Sequence, residues 1–158
     1  ALVEEVVKFL VVKFVVLHNP EFDEPLDAMI YMVSAGLGFA AIENILVLFQ
    51  AIPSGTNTAI QIWLLRFVGA TLLHAVASAT VGYFLALSWF YNRHSGKLIT
   101  MGLALATILH LIFNVILLSG VRQTSFLLST IFLIFIALAI SGLFTKLKKR
   151  EQADANLA

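Results

Sequence analysis

Glu4, Glu5, Lys8, Glu43, Arg66, His74 and His110 are ionisable residues standing inside long apolar runs. An unpaired charge at the centre of a bilayer costs about 2.5 kcal/mol or more, so each marks a candidate site, a pathway or an ion pair. Acid and imidazole together can do chemistry. A carboxylate in apolar surroundings can take a proton from water, and His or Asn can stabilise the oxyanion that forms when that water adds to a carbonyl. Glu4 and Lys8 are i,i+4 neighbours, as are His110 and Asn114, so each pair projects from one helix face. Lys8 and Arg66 could equally neutralise Glu4, Glu5 or Glu43 as structural ion pairs. Lys13, near a helix end, is read as snorkelling to the interface.

Other hydrolytic signatures are missing. No H-E-x-x-H helix is present. Ser34 stands in Val33-Ser34-Ala35-Gly36, a poor match to a nucleophile elbow. The three aspartates, Asp23, Asp27 and Asp154, fall in loops or at helix ends, which rules out an intramembrane aspartyl pair. Cys is absent, which removes thiolate metal sites and a cysteine nucleophile. Adjacent glutamates and two distant histidines remain.

The elements that must position them follow from composition. Of 158 residues, 60% are hydrophobic and 12% charged, outside the range of soluble domains and opposite to disorder. Ten basic and nine acidic residues nearly balance, so no nucleic-acid footprint exists. A spanning helix needs roughly 20 apolar residues. Five stretches are read as spans: 1–17, 26–49, 59–91, 98–119 and 125–146. Breakers separate them: His18-Asn19-Pro20, Pro53-Ser54-Gly55, the segment 92–96 and Ser119-Gly120. Asp23 or Glu24 is expected to cap the second helix, with Pro25 in its first turn. The third span is long enough to require tilt or protrusion. The fold class is therefore an all-α, polytopic transmembrane bundle in the cell membrane, 1–146, followed by a polar tail, 147–158. Ala1 lies inside an apolar run with no Met, so further N-terminal sequence is expected.

Arg93 and Lys97 between spans three and four, and Lys146, Lys148, Lys149 and Arg150 after span five, assign those segments and the C-terminus to the cytoplasm. Arg122 alone marks the other side, where the loop 53–58 and Gln123 also fall. Counting helical rise, Glu5, Glu43 and His110 then lie about 10–12 Å below the outer edge of the bilayer core. His74 is placed less narrowly, at about 6–22 Å. Three helices thus bring acid or imidazole to one level. Gly36, Ala40 and Asn44, and His74, Ser78 and Gly82, recur every four residues, as small or polar stripes do where membrane helices pack closely.

These residues carry a resemblance. Glu4-Glu5-Val6-Val7-Lys8, Phe22-Asp23-Glu24-Pro25-Leu26-Asp27, Gly36-Leu37-Gly38-Phe39-Ala40-Ala41-Ile42-Glu43-Asn44, Arg66 with His74, and His110 with Asn114 resemble, in order, the PrsW family of intramembrane proteases. That family is more distantly similar to the CAAX-prenyl proteases and to the small scaffold subunit of gamma-secretase. The resemblance implies a multi-pass protease acting on a single-pass membrane protein, such as an anti-sigma factor, on the extracytoplasmic side. It makes Glu4, Glu5, His74, His110 and Asn114 the catalytic candidates, one glutamate with His74 activating water and His110 with Asn114 facing the oxyanion. Lys8, Glu43, Asn44, Arg66, Glu24 and Asp27 are the supporting candidates. The chain departs from the family at Ala28 and Met32, where glycine is frequent.

Zinc could be held by His74, His110 and Glu4 with water in the fourth position. Asn114 on the face of His110 is a rare zinc ligand but a good oxyanion donor, which favours a metal-free mechanism. A non-catalytic membrane scaffold or binding subunit of the same fold is the alternative. A transporter would show broken helices or an internal repeat, and neither is visible.

Overall fold

The computed structural model describes residues 1–91, 94–118 and 122–156, with the backbone alone at Leu65, Arg122, Gln123 and Ala155. Arg93 and the Ser119-Gly120 break lie outside the described residues, as does the Arg122 side chain. Five α-helices follow in order: α1 (Leu2–Val15), α2 (Pro25–Ala51), α3 (Thr56–Ala86), α4 (Gly96–Leu118) and α5 (Arg122–Ala155). A short 3-10 turn, Ile52–Ser54, ends α2, and a π-type turn, Leu87–Tyr91, extends α3. No strand occurs among the described residues. Four helices, α2 to α5, are long and apolar enough to cross a membrane. At 14 residues, α1 rises only about 21 Å, short of a bilayer core of about 30 Å.

Chain reversals follow local chemistry. Pro25 occupies the first turn of α2, where a missing N–H costs nothing. Asp27 reaches back, and its Oδ2 accepts the backbone N–H groups of Glu24 at 3.0 Å and Asp23 at 3.2 Å. Glu24 is the N-cap residue, and the capping carboxylate comes from Asp27. Phe22 turns inward and stacks against Tyr31, Trp89 and Phe90. At the other end, Gly55 adopts φ +98°, a left-handed conformation that L side chains rarely take, and lets α2 reverse into α3.

The central helix is α3. In its apolar stretch 78% of the residues are buried, against 22% for α2 and α4 and 11% for α5. It packs against each of the other four. The outward faces of α2, α4 and α5 carry exposed Leu, Ile and Phe side chains, as lipid contact requires. Both four-residue stripes are buried. Helices α2 and α3 meet at two close approaches. A Cβ on Gly36 would collide with Ser78 Oγ and lie 2.8 Å from the carbonyl oxygen of His74. One on Gly82 would lie 2.6 Å from Met29 Cα and 2.7 Å from the carbonyl oxygen of Ala28. The close approach beside Ala28 is therefore supplied from α3. Helix α5 continues without a break past Lys146 to Ala155, burying Leu147 and laying the Arg150 guanidinium 3.6 Å over the Tyr91 ring.

Gly82→Ala must separate two backbones, and overpacking of this kind costs about 1–3 kcal/mol. It should lower the thermal unfolding midpoint in detergent. Gly38→Ala, with nothing within 4 Å of the added carbon, should not. Equal midpoints for the two variants would refute the close approach.

Candidate active site

One end of the bundle, where α1 starts, α2 and α4 finish and α3 begins, gathers the ionisable residues. Lys8 Nζ donates to Glu5 Oε1 at 2.6 Å, and both side chains are buried to within 1%. Lys8 Nζ also lies 3.2 Å from His74 Nδ1. An ammonium can only donate, so Nδ1 of His74 accepts and its ring proton sits on Nε2. Nε2 then donates to Glu43 Oε2 at 2.8 Å. The other oxygen of Glu43 accepts from Arg66 Nη2 at 2.7 Å. On the far side, His110 Nδ1 donates to Glu5 Oε1 at 2.8 Å, which turns its Nε2 toward Glu4 Oε2, 3.4 Å away. Six side chains from α1, α2, α3 and α4 thus form one continuous polar chain, Arg66–Glu43–His74–Lys8–Glu5–His110.

Aromatic walls complete it. The His74 and His110 rings meet edge to face at 5.2 Å. Phe39 lies 5.4 Å from the His74 ring and 5.6 Å below Lys8 Nζ, a cation–π contact. Asn44 Nδ2 donates to Thr71 Oγ1 at 3.1 Å and ties α2 to α3 beside the cluster. A cavity of about 250 Å³ opens here, lined by Glu4, Glu43, Arg66, His74, His110 and Asn114 with apolar neighbours.

The adjacent glutamates have different positions. Glu5 is fully buried and holds Lys8 and His110. Glu4 lines the cavity, and its Oε2 is buried without a hydrogen-bond partner. Glu5 holds His110 and Glu43 holds His74 by hydrogen bonds, and Glu4 brings a carboxylate oxygen within 4.8 Å of a nitrogen of each histidine. Glu24 and Asp27 sit at the opposite end of α2, and Asp27 lies sixteen residues, about 24 Å, before Glu43. Their motif starts the helix. Phe39 stands within the Gly36–Asn44 block but, like Thr71, has no role assigned from the sequence, because an apolar ring and a threonine within apolar runs give no signal there. Thr71 lies three residues before His74, on the same face, which is the one cue available.

Glu4, His74 and His110 each bring one possible ligand atom to within 4.8 Å of the others. The donor types and spacing suit a two-histidine, one-carboxylate ion. The hydrogen bonds do not. A metal on His74 Nδ1 needs the lone pair that Lys8 occupies, and a metal on Nε2 needs a proton on Nδ1, facing an ammonium. In this arrangement His74 has no nitrogen to offer.

Lys8→Met leaves the Glu5 carboxylate buried without its cation, a change that costs about 3–5 kcal/mol. Thermal unfolding in detergent should show a large loss for this variant. Lys13→Met, at an exposed position, should leave the midpoint in place. A neutral result for Lys8→Met would mean that the pair does not hold the fold.

The chain is similar to known proteins over most of its length. A family model described as "PrsW family intramembrane metalloprotease" matches residues 1–141. Among curated proteins, Protease PrsW of Oceanobacillus iheyensis is 38% identical over 117 residues, covering 74% of this chain and 51% of that protein. Protease PrsW of Geobacillus kaustophilus is 36% identical over 122 residues, covering 77% and 51%. Protease PrsW of Halalkalibacterium halodurans is 30% identical over 151 residues, covering 96% and 65%. The chain thus spans about half the length of the first two relatives. No solved structure matches at comparable stringency. With most of its length matched, the chain belongs to the PrsW family of intramembrane proteases.

Proposed function

We propose that the chain carries the active site of an intramembrane protease, in which Glu4 activates water for attack on a peptide bond of a membrane-protein substrate. The observation that carries this reading is the cavity that Glu4, His74, His110 and Asn114 share, with Glu4 Oε2 free of any hydrogen-bond partner. Glu4 takes a proton from water as the oxygen adds to the carbonyl carbon, giving a tetrahedral oxyanion. The Asn114 amide lines the same cavity and supplies N–H donors for that oxyanion. When the C–N bond breaks, the proton passes from Glu4, through His110, to the leaving nitrogen, giving a carboxylic acid and an amine. Glu5 is a positioning residue that fixes the tautomer of His110. Glu43 does the same for His74, which with Lys8 and Arg66 forms a neutralising wall.

The family description as a metalloprotease, and the Glu4, His74 and His110 group, support a zinc reading as the second one. The Lys8 hydrogen bond on His74 weighs against it, and no step above depends on a metal. A scaffold of the same fold would keep the polar chain for cohesion, but cohesion does not call for Glu4, His74, His110 and Asn114 to share a cavity.

Substrates of this reading are single-pass membrane proteins, an anti-sigma factor among them, entering from the bilayer. The basic residues Lys97, Lys146, Lys148, Lys149 and Arg150 favour a cytoplasmic C-terminus, which puts the cavity toward the extracytoplasmic side. Cysteine tags are simple to interpret in a chain without native Cys. A tag at position 148 should react only after the membrane is opened, and one at position 56 in intact cells. Labelling of position 148 from outside would reverse the orientation.

Glu4→Gln should slow cleavage by about 10²- to 10⁴-fold, the range for loss of a general base, at unchanged folded yield. Chelation should leave wild-type cleavage intact. Near-wild-type cleavage by Glu4→Gln would remove that residue from the chemistry. Inactivation by a chelator with rescue by zinc would replace the metal-free version and leave the protease reading in place.

A further inference from the structure

A second cavity, of about 210 Å³, lies between α3, α4 and α5. Arg66, Ala70, Phe113 and Leu117 line both it and the cavity that holds Glu4, His110 and Asn114, so the two share a wall. Beyond that wall the second cavity is apolar. Ser129 lines it, but its hydroxyl donates to the carbonyl oxygen of Phe126 at 3.0 Å. Arg66 is turned to Glu43 at 2.7 Å. An engineered apolar cavity of about 150 Å³ takes a benzene ring, so this one has room for a single aromatic or branched side chain.

Gly69 lines this cavity. At Gly36 and Gly82 a Cβ would collide with the facing helix, and glycine is needed for packing. At Gly69 the nearest atom to an added Cβ is Phe113 Cζ at 3.5 Å, an ordinary contact. Packing therefore does not demand glycine here. Its effect is to leave space beside the catalytic wall.

We propose that this second cavity is a substrate subsite, which receives one large apolar side chain flanking the scissile bond, and that Gly69 sets the size it accepts. This rests on the protease reading above. A substrate held in the Glu4 cavity has Ala70 and Phe113 as its boundary on this side, and a neighbouring side chain reaches across them. Filling an apolar pocket discriminates by about 10- to 200-fold per methylene-sized difference, enough to select a cleavage position within a uniformly apolar segment.

The test uses the purified chain in liposomes with single-pass substrates in which each residue flanking the cleaved bond is in turn Ala, Leu or Phe. At one flanking position the wild type should cleave the Leu or Phe form at least tenfold faster than the Ala form. Gly69→Leu should slow the Phe form at least tenfold more than the Ala form, and Gly69→Ala should move the ratio the same way by less. The graded Ala variant keeps the test alive if the Leu variant fails to fold, and Gly38→Leu, on an open face, serves as the control. Cleavage that persists with an unchanged Phe-to-Ala ratio in Gly69→Ala and any folded Gly69→Leu would overturn the subsite, as expected if a lipid chain fills the cavity. Absence of cleavage by the wild type on every substrate would overturn the protease reading and the subsite with it.

Discussion

The fold depends on one requirement: two cations and two carboxylates inside an apolar bundle must be paired at once. Lys8 with Glu5 and Arg66 with Glu43 meet it, and His74 bridges the two pairs by accepting from Lys8 and donating to Glu43. Each link crosses between helices or locks a neighbour in the same turn. Removing Lys8 leaves the Glu5 charge buried without compensation, so helix packing and charge pairing cannot be changed independently there. The glycine contacts at Gly36 and Gly82 are the steric counterpart, because α2 and α3 must lie close for Glu43 to reach His74 and Arg66.

Glu4 stands apart from this arrangement. Glu5 is consumed by structure, its Oε1 holding both an ammonium and an imidazole, and Glu4 is left at the cavity wall. Two adjacent residues of the same type thus take different roles through position alone. On the proposed reading, this division lets a site built from strongly interacting groups still present a reactive one: Glu5 is engaged by Lys8 and His110, and Glu4 lines the cavity.

Much of this was legible in the sequence, because charge in an apolar run is costly and therefore informative. Glu4, Glu5, Lys8, Glu43, Arg66, His74 and His110 stand out for that reason, and the stripes ending at Asn44 and beginning at His74 indicate facing. What helical spacing cannot give is pairing across helices. Which glutamate faces the cavity, and which histidine it adjoins, depend on the rotation and depth of α1 against α4, set by packing. Glu24 and Asp27 stand out for another reason. An acidic motif beside proline starts a helix, and here it lies at the end of α2 away from Glu43. Gly69 carried no signal, since a glycine that leaves room reads in sequence like one that packs.

The polar chain is expected to act as one unit across α1, α2 and α3. A double-mutant cycle measures this, combining Glu5→Gln and Glu43→Gln and following unfolding free energy in detergent. The two carboxylates share no bond and are linked only through Lys8 and His74. A continuous network predicts a coupling energy of about 0.5–3 kcal/mol. Additive effects, with coupling below about 0.3 kcal/mol, would contradict it and reduce the cluster to two independent ion pairs.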